Sequence, residues 1–378
     1  MSGRFRILYA IACEAILIGL LVFIILWQNL SNDIHPAAAS GSSLSGSTLS
    51  GGTEESAPGP EEEVKKDFIK WVDFNVDYEA LDTAYTCDVD SHSSDTPVNW
   101  IELLAYAGAK HGGEVGTKAA QDMAVLASKI MNKETTMEET AKDMKYYNYY
   151  LEAYSAVLGG LVGEYEIEVP DETAPEKKVW ESRYGLKGFL PVAKYFPYSD
   201  YDDFGVSRSY GYKRRHLGHD MMGQTGTPIV AVESGYVECI GWNQYGGWRL
   251  GIRSFDGRRY YYYAHLRKNF PYNQSLQEGS VVQAGDVIGY MGRTGYSAAE
   301  NTNNIDETHL HFGLQLIFDE SQKEGNGEIW VDCYQLVRFL HRNRCETVKD
   351  EDTKEWHRVY EIRDPAAEAY KEAHSGTP

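Results

Sequence analysis

The residues of this sequence best suited to chemistry are histidines at telling intervals. In Thr308-His309-Leu310-His311-Phe312-Gly313-Leu314-Gln315-Leu316 the residue types alternate. Leu310, Phe312, Leu314 and Leu316 fall on one face, and His309, His311, Gly313 and Gln315 on the other. Such a period of two predicts a strand with one face on a core. Two imidazoles two residues apart then point into the same space, and imidazole both binds transition metals and moves protons near neutral pH. Upstream, His216-Leu217-Gly218-His219-Asp220 sets a histidine and a carboxylate four apart. Gly218 and the run Gly223-Gln224-Thr225-Gly226-Thr227-Pro228 favour strand and turn there, and in an extended segment positions i and i+4 share a face. His219 competes as a ligand but faces away from His216 in such a segment. A histidine, a carboxylate and a second histidine give zinc three ligands and leave a fourth position for water, the arrangement of a catalytic site. A lone His-x-x-x-Asp arises often by chance. The third element is Tyr263-Ala264-His265-Leu266; alone, His265 reads as a surface or core histidine.

Short strands and turns must position these groups. From Trp180 the composition shifts to aromatics, glycines and short apolar runs, which predicts a β domain. Ser254-Phe255-Asp256-Gly257-Arg258 is a hairpin signal, and it places Tyr263 and His265 at the end of the returning strand. Trp330 to Arg342 reads as a terminal helix. Before the β domain, Asp67 to about Val162 reads as helical. Asn99-Trp100-Ile101-Glu102 and Thr136-Met137-Glu138-Glu139 have the form of capped helix starts. Met137, Ala141, Met144, Tyr147, Leu151, Tyr154 and Leu158 follow at helical spacing, closed by Gly159-Gly160. Tyr146, Tyr147, Tyr149 and Tyr150 suggest a glycan-stacking surface, but an amphipathic helix with tyrosines at the core edge explains them more simply.

Taken together, six ordered blocks resemble the lysostaphin-type (LytM-like) zinc endopeptidases of bacterial cell walls. They are His216-Leu217-Gly218-His219-Asp220; Gly226-Thr227-Pro228 with Ala231 and Gly235-Tyr236-Val237; Tyr263-Ala264-His265-Leu266; Gly285-Asp286-Val287-Ile288-Gly289; Gly292-Arg293-Thr294-Gly295; and His309-Leu310-His311-Phe312. The resemblance implies that His216, Asp220 and His311 hold zinc. It implies that His265 and His309 are an unliganded catalytic pair, and that Tyr263, Gly292 and Gly295 meet substrate. It implies peptidoglycan peptides as substrate and a small antiparallel β domain with a groove over the metal. Tyr296 to Thr308 is longer than the family usually has, and reads as a border or lid of that groove. Relatives of the family that serve as non-catalytic wall-binding, sporulation or divisome scaffolds set the alternative reading.

The N-terminus adds an address. Ile7 to Trp27 is apolar except for Glu14, long enough for a bilayer, and preceded by Arg4 and Arg6. This predicts a single-pass anchor in the cell membrane with everything after it extracytoplasmic. The expected fold class is α+β: an N-terminal transmembrane helix, a helical region, then a mainly antiparallel β metallopeptidase domain. The expected boundaries are 1–30 for the anchor, 31–66 for a flexible Ser/Gly-rich and then acidic linker, 67–169 for the helical domain, 170–345 for the zinc endopeptidase domain and 346–378 for a charged C-terminal tail. A net charge of −20 excludes nucleic acid as a partner. Five cysteines without a C-x-x-C spacing offer neither a redox motif nor a structural zinc site; Cys333 and Cys345 are near enough in sequence to pair. The helical region, close to the groove in sequence, is a candidate for covering it or for docking a regulatory protein.

Overall fold

The computed structural model describes residues 68–209, 213–325 and 327–375. The expected membrane anchor and linker lie outside the described residues, and among those described no helix is long and apolar enough to cross a membrane. The described residues belong to one compact unit, Lys66–Pro378.

Five helices come first: α1 (Tyr78–Ser91), α2 (Trp100–His111), α3 (Thr117–Met131), α4 (Met137–Ala141) and α5 (Tyr147–Leu158). Asn99 caps α2, its side chain accepting from the backbone N–H of Ile101 and Glu102, and Gly112 ends the helix at φ +66°. Thr136 and Glu139 form the expected capping box. The helix it opens is short, however. The apolar periodicity from Met137 to Leu158 is split between α4 and α5, and the chain leaves α5 at Gly159. Of the tyrosine cluster, Tyr147 is buried and Tyr150 packs at the core edge, while Tyr146 and Tyr149 are exposed, with Tyr149 Oη donating to the Trp71 carbonyl.

The strands follow as β1 (Val162–Pro170), β2 (Lys178–Leu186), β3 (Ser207–Ser209), β4 (Lys213–Arg215), β5 (His219–Met222), β6 (Pro228–Val230), β7 (Gly235–Asn243), β8 (Gly247–Ser254), β9 (Arg259–Ala264), β10 (Val281–Val282), β11 (Val287–Tyr290), β12 (His309–Leu316) and β13 (Ile329–Trp330). A seven-stranded sheet runs β10-β7-β8-β9-β12-β13, and β5 pairs with the first half of β12. Every pairing in it is antiparallel. The Asp256-Gly257 turn joins β8 to β9, with Gly257 at φ +73° and Asp256 Oδ1 accepting from Ser254 and Arg258. The boundary expected at residue 170 falls at the end of β1, which pairs with β2 along its whole length.

The sheet has a core face and an open face. Leu310, Phe312, Leu314 and Leu316 are fully buried on the first, together with Tyr261, Tyr263, Leu250 and Ile252. Helix α6 (Tyr334–Leu340) is shorter than the sequence suggests, because Trp330 is spent in β13. Its Phe339 meets Trp100 of α2 at 5.9 Å and Tyr85 of α1 at 5.5 Å. Arg259, at the start of β9, is buried against Glu233 and donates to the carbonyls of Ser155 and Ala156 at the end of α5. The helices are therefore docked on the sheet through shared buried groups. The C-terminal segment is likewise integrated. Strands β14 (Thr347–Lys349) and β15 (Trp356–Arg358) form a hairpin, β16 (Ile362–Arg363) pairs with β1, and α7 (Pro365–His374) is capped by Asp364. Cys87, Cys239, Cys333 and Cys345 are all free thiols.

Candidate metal centre

The open face of the sheet floors a hollow of about 1120 Å³. Register explains what lies in it. His311 is directly opposite Asp220 on β5 and opposite Ala264 on β9. His216 comes from the turn between β4 and β5, and Gly218 lets that turn lie on β12. A Cβ at Gly218 would meet the His311 ring at 2.6 Å. The donor atoms of His216, Asp220 and His311 converge, all within 4.8 Å of one another, the only such cluster among the described residues. His216 Nε2 and His311 Nδ1 each lie 3.0 Å from Asp220 Oδ1, and 2.9 Å from each other. Two imidazole nitrogens and one carboxylate oxygen, buried on one side and open to the hollow on the other, are a donor set that fits a zinc-like cation.

A second layer aims these donors. His216 Nδ1 donates to the Asp203 carbonyl and carboxylate, both at 3.1 Å, which fixes Nε2 as the nitrogen facing the cluster. Arg208 bridges Asp203 Oδ2 at 2.6 Å and Asp220 Oδ2 at 3.0 Å. Burial pulls the His216 pKa down, but its hydrogen bonds to Asp203 and Asp220 outweigh this and raise it to about 9. Burial pushes Asp220 up, yet His216 and His311 hold it well below the usual carboxylate range. Burial keeps His311 below its ordinary value. Neither Asp203 nor Arg208 carries a sequence signal, since their spacing to the histidines repeats no pattern.

His309 and His265 stand beside the cluster, their rings 4.8 Å apart. His309 Nδ1 meets the Glu307 carbonyl and His265 Nδ1 the Thr294 carbonyl, each at 2.9 Å. A carbonyl can only accept, so both Nδ1 atoms carry the proton and both Nε2 atoms are left for the groove. His265 sits at φ +60°, a left-handed conformation that disfavours a side chain, held by its own N–H donating to the Gly246 carbonyl. His219 is turned away from the site, with Nε2 2.9 Å from Asp200.

Residues 214–324 match Peptidase family M23. This segment is an M23 peptidase domain of the lysostaphin type. The L-Ala--D-Glu endopeptidase of Bacillus subtilis (strain 168) is 36% identical over 160 residues, 42% of this chain and 45% of that protein. Lysostaphin of Staphylococcus staphylolyticus is 40% identical over 98 residues, 26% of this chain and 18% of that protein. The matched stretch thus spans less than half the length of either relative. Among solved structures, the LytM chain of Ruminococcus gnavus ATCC 29149 is 24% identical, with 74% of this chain and 93% of that one covered and a TM-score of 0.46.

Within the M23 domain, three residues expected at the substrate are not among those lining the hollow. Tyr263 is fully buried on the core face, where its Oη accepts from the Val232 N–H at 3.0 Å. Its neighbours Tyr260 and Tyr262 line the hollow instead. Gly292 and Gly295 are buried, and their smallness is used by the chain itself. A Cβ at Gly292 would lie 2.5 Å from the Arg267 Cα, and one at Gly295 2.4 Å from the Tyr245 carbonyl oxygen. The long segment from Tyr296 to Thr308 does border the hollow through Tyr296, Asn304, Ile305, Asp306 and Glu307. Arg214 sits over the Tyr296 ring at 4.8 Å, bringing the β3–β4 hairpin to that border. Among the described residues, none of the helical region lines the hollow, and the lining lies between Tyr201 and Trp330.

Proposed function

We propose that the chain is a zinc endopeptidase that hydrolyses a peptide bond in the stems or cross-bridges of bacterial peptidoglycan, anchored in the cell membrane with its catalytic domain outside. The observation that carries the activity is the convergence of His216, Asp220 and His311, with His265 and His309 beside them, at the floor of an open groove. The names of the similar proteins support the substrate class, and the apolar run Ile7 to Trp27 supports the anchor.

His216, Asp220 and His311 would hold the zinc. When bound, the ion supplies Lewis-acid polarisation of a carbonyl and lowers the pKa of water to about 7. The protein's own part is proton handling. With Nδ1 fixed on a carbonyl, His309 offers Nε2 as the acceptor for the proton of an attacking water. His265 offers the same atom, its ring 4.8 Å from that of His309. Burial first, then the neighbouring His309 and His311, keep its pKa well below the ordinary value, so its ring starts neutral. A proton taken up by one of these rings during attack becomes the one given to the leaving amine.

Full-length protein loaded with zinc should release soluble fragments from purified peptidoglycan, identified by mass spectrometry. His311→Ala and Asp220→Ala should each lose metal and activity together, because three protein ligands are the usual set for a site with an open position. One equivalent of zinc retained by both variants would mean the ligand set is wrong. Membrane fractionation with protease accessibility tests the anchor and its orientation.

A further inference from the structure

One row of residues crosses the groove floor. Asp220 on β5 pairs with His311 on β12, and His311 with Ala264 on β9. Leu250 pairs with Tyr263, so the next residue back, Arg249, stands opposite Ala264 on the same face. Ala264 is small, so nothing bulky in this row separates Arg249 from the metal ligands. Two strand spacings put the Arg249 and His311 backbones about 10 Å apart, the reach of roughly three extended residues.

Among the described residues, Arg249 has no carboxylate partner there. Its Nη1 donates to Cys239 Sγ, and its Nε is buried with no hydrogen-bond partner among the described residues. The acids lining the same hollow do not neutralise it. Glu238 Oε1 is taken by Lys323 at 2.5 Å and Arg253 at 3.4 Å, while its Oε2 is buried without a partner among the described residues; Asp220 is taken by His216, His311 and Arg208, and Glu328 by the Trp330 indole N–H at 2.8 Å. Asp306, Glu307 and Glu324 are exposed to solvent. Leaving Nε unmatched is costly, and the rest of this half-buried guanidinium lines the groove with N–H groups a ligand anion can take. The tyrosines add to this. Tyr262 Oη accepts from Asn243 Nδ2 at 3.5 Å and keeps its own proton to donate, and Tyr260 lies on the same strand and face.

We propose that Arg249 is a carboxylate subsite of the groove, which takes a free carboxylate of an acidic peptide within about three residues of the bond to be cut. A guanidinium fork matches a carboxylate with two parallel hydrogen bonds, and an amide in the same place cannot accept both. The subsite rests on the peptidase reading above and adds its substrate preference.

The test uses two sets of peptidoglycan fragments, one with free glutamate carboxylates and one with those carboxylates converted to amides. The zinc-loaded full chain should cut the acidic set with kcat/KM about 10–100-fold higher, as charge-assisted pairing implies. In R249Q, with zinc content equal to wild type, that ratio should collapse to about one, and R249K should keep part of it. A wild-type ratio near one, or a ratio that R249Q leaves unaltered, overturns the subsite while the peptidase reading stands. Zinc-loaded wild type that cuts neither set overturns the peptidase reading, and the subsite with it.

Discussion

Replacing Asp203 by asparagine should weaken zinc binding without abolishing it. Asp203 is 1% exposed and touches no substrate space; it acts by holding His216 Nδ1 and Arg208. Loss of a partner that orients a metal-binding histidine typically costs 10–100-fold in affinity. Here the lower end is expected, because the Asp203 backbone carbonyl, also 3.1 Å from His216 Nδ1, survives the substitution. Arg208 also keeps Asp220 as a partner at 3.0 Å. The expected loss is therefore about tenfold, or about 1.4 kcal/mol. Competitive titration of zinc against a chelator of known affinity measures it, with Asp220→Ala as the reference for a lost ligand. Affinity within twofold of wild type would refute the orienting role. A loss as complete as that of Asp220→Ala would make Asp203 a ligand and displace the geometry argued above.

His309→Ala and His265→Ala should keep zinc but lose turnover by about 10²–10⁴-fold, the usual contribution of a positioned acid or base; a metal-free variant would make that residue a ligand. Zinc uptake at pH 7 should release about one proton, since His216, raised to about 9 in the metal-free protein, must be neutral to bind, while Asp220 is already ionised and His311 already neutral. Calorimetry in buffers of different ionisation enthalpy reads this, and the release should vanish as pH rises through about 9. By the same sign, the stability His216 lends the metal-free protein is complete below about pH 6.5 and lost as pH passes about 9. A chain truncated to begin near Trp180 should melt at lower temperature and gain nothing in kcat/KM on soluble peptides, because the helices cover the core face; a rise in kcat/KM would restore a gating role for them.

The metal cluster is legible in the sequence because strand geometry is simple. The alternation from Thr308 to Leu316 assigns every residue of β12 to its face, and His216, Asp220 and His265 arrive in ordered blocks. What the sequence hides is hidden for physical reasons. Tyr260 to Tyr263 is a run of four identical residues, so no alternation of type shows which two face the groove; only the register with β12 does. Gly292 and Gly295 look permissive for a ligand, but their missing Cβ atoms are filled by backbone of Arg267 and Tyr245. Asp203 and Arg208 act through contacts to each other, His216 and Asp220 that leave no periodic trace, and Arg249 is placed opposite Ala264 only by strand register. The split of α4 from α5 occurs within an unbroken apolar spacing, which pattern alone reads as one helix.

The two faces of the sheet also account for the helical region. An antiparallel sheet can leave one face in water only if the other is covered. β12 presents His309 and His311 to the groove, so its alternate residues Leu310, Phe312, Leu314 and Leu316 must be buried on the other side. That core continues to α6, whose Phe339 is in turn packed by α1 and α2. Arg259 ties the same layer to α5 from the strand that ends at Ala264, one residue before His265. Rigid placement of the two histidine pairs thus depends on a buried layer to which the helices contribute, although no described helical residue reaches the hollow.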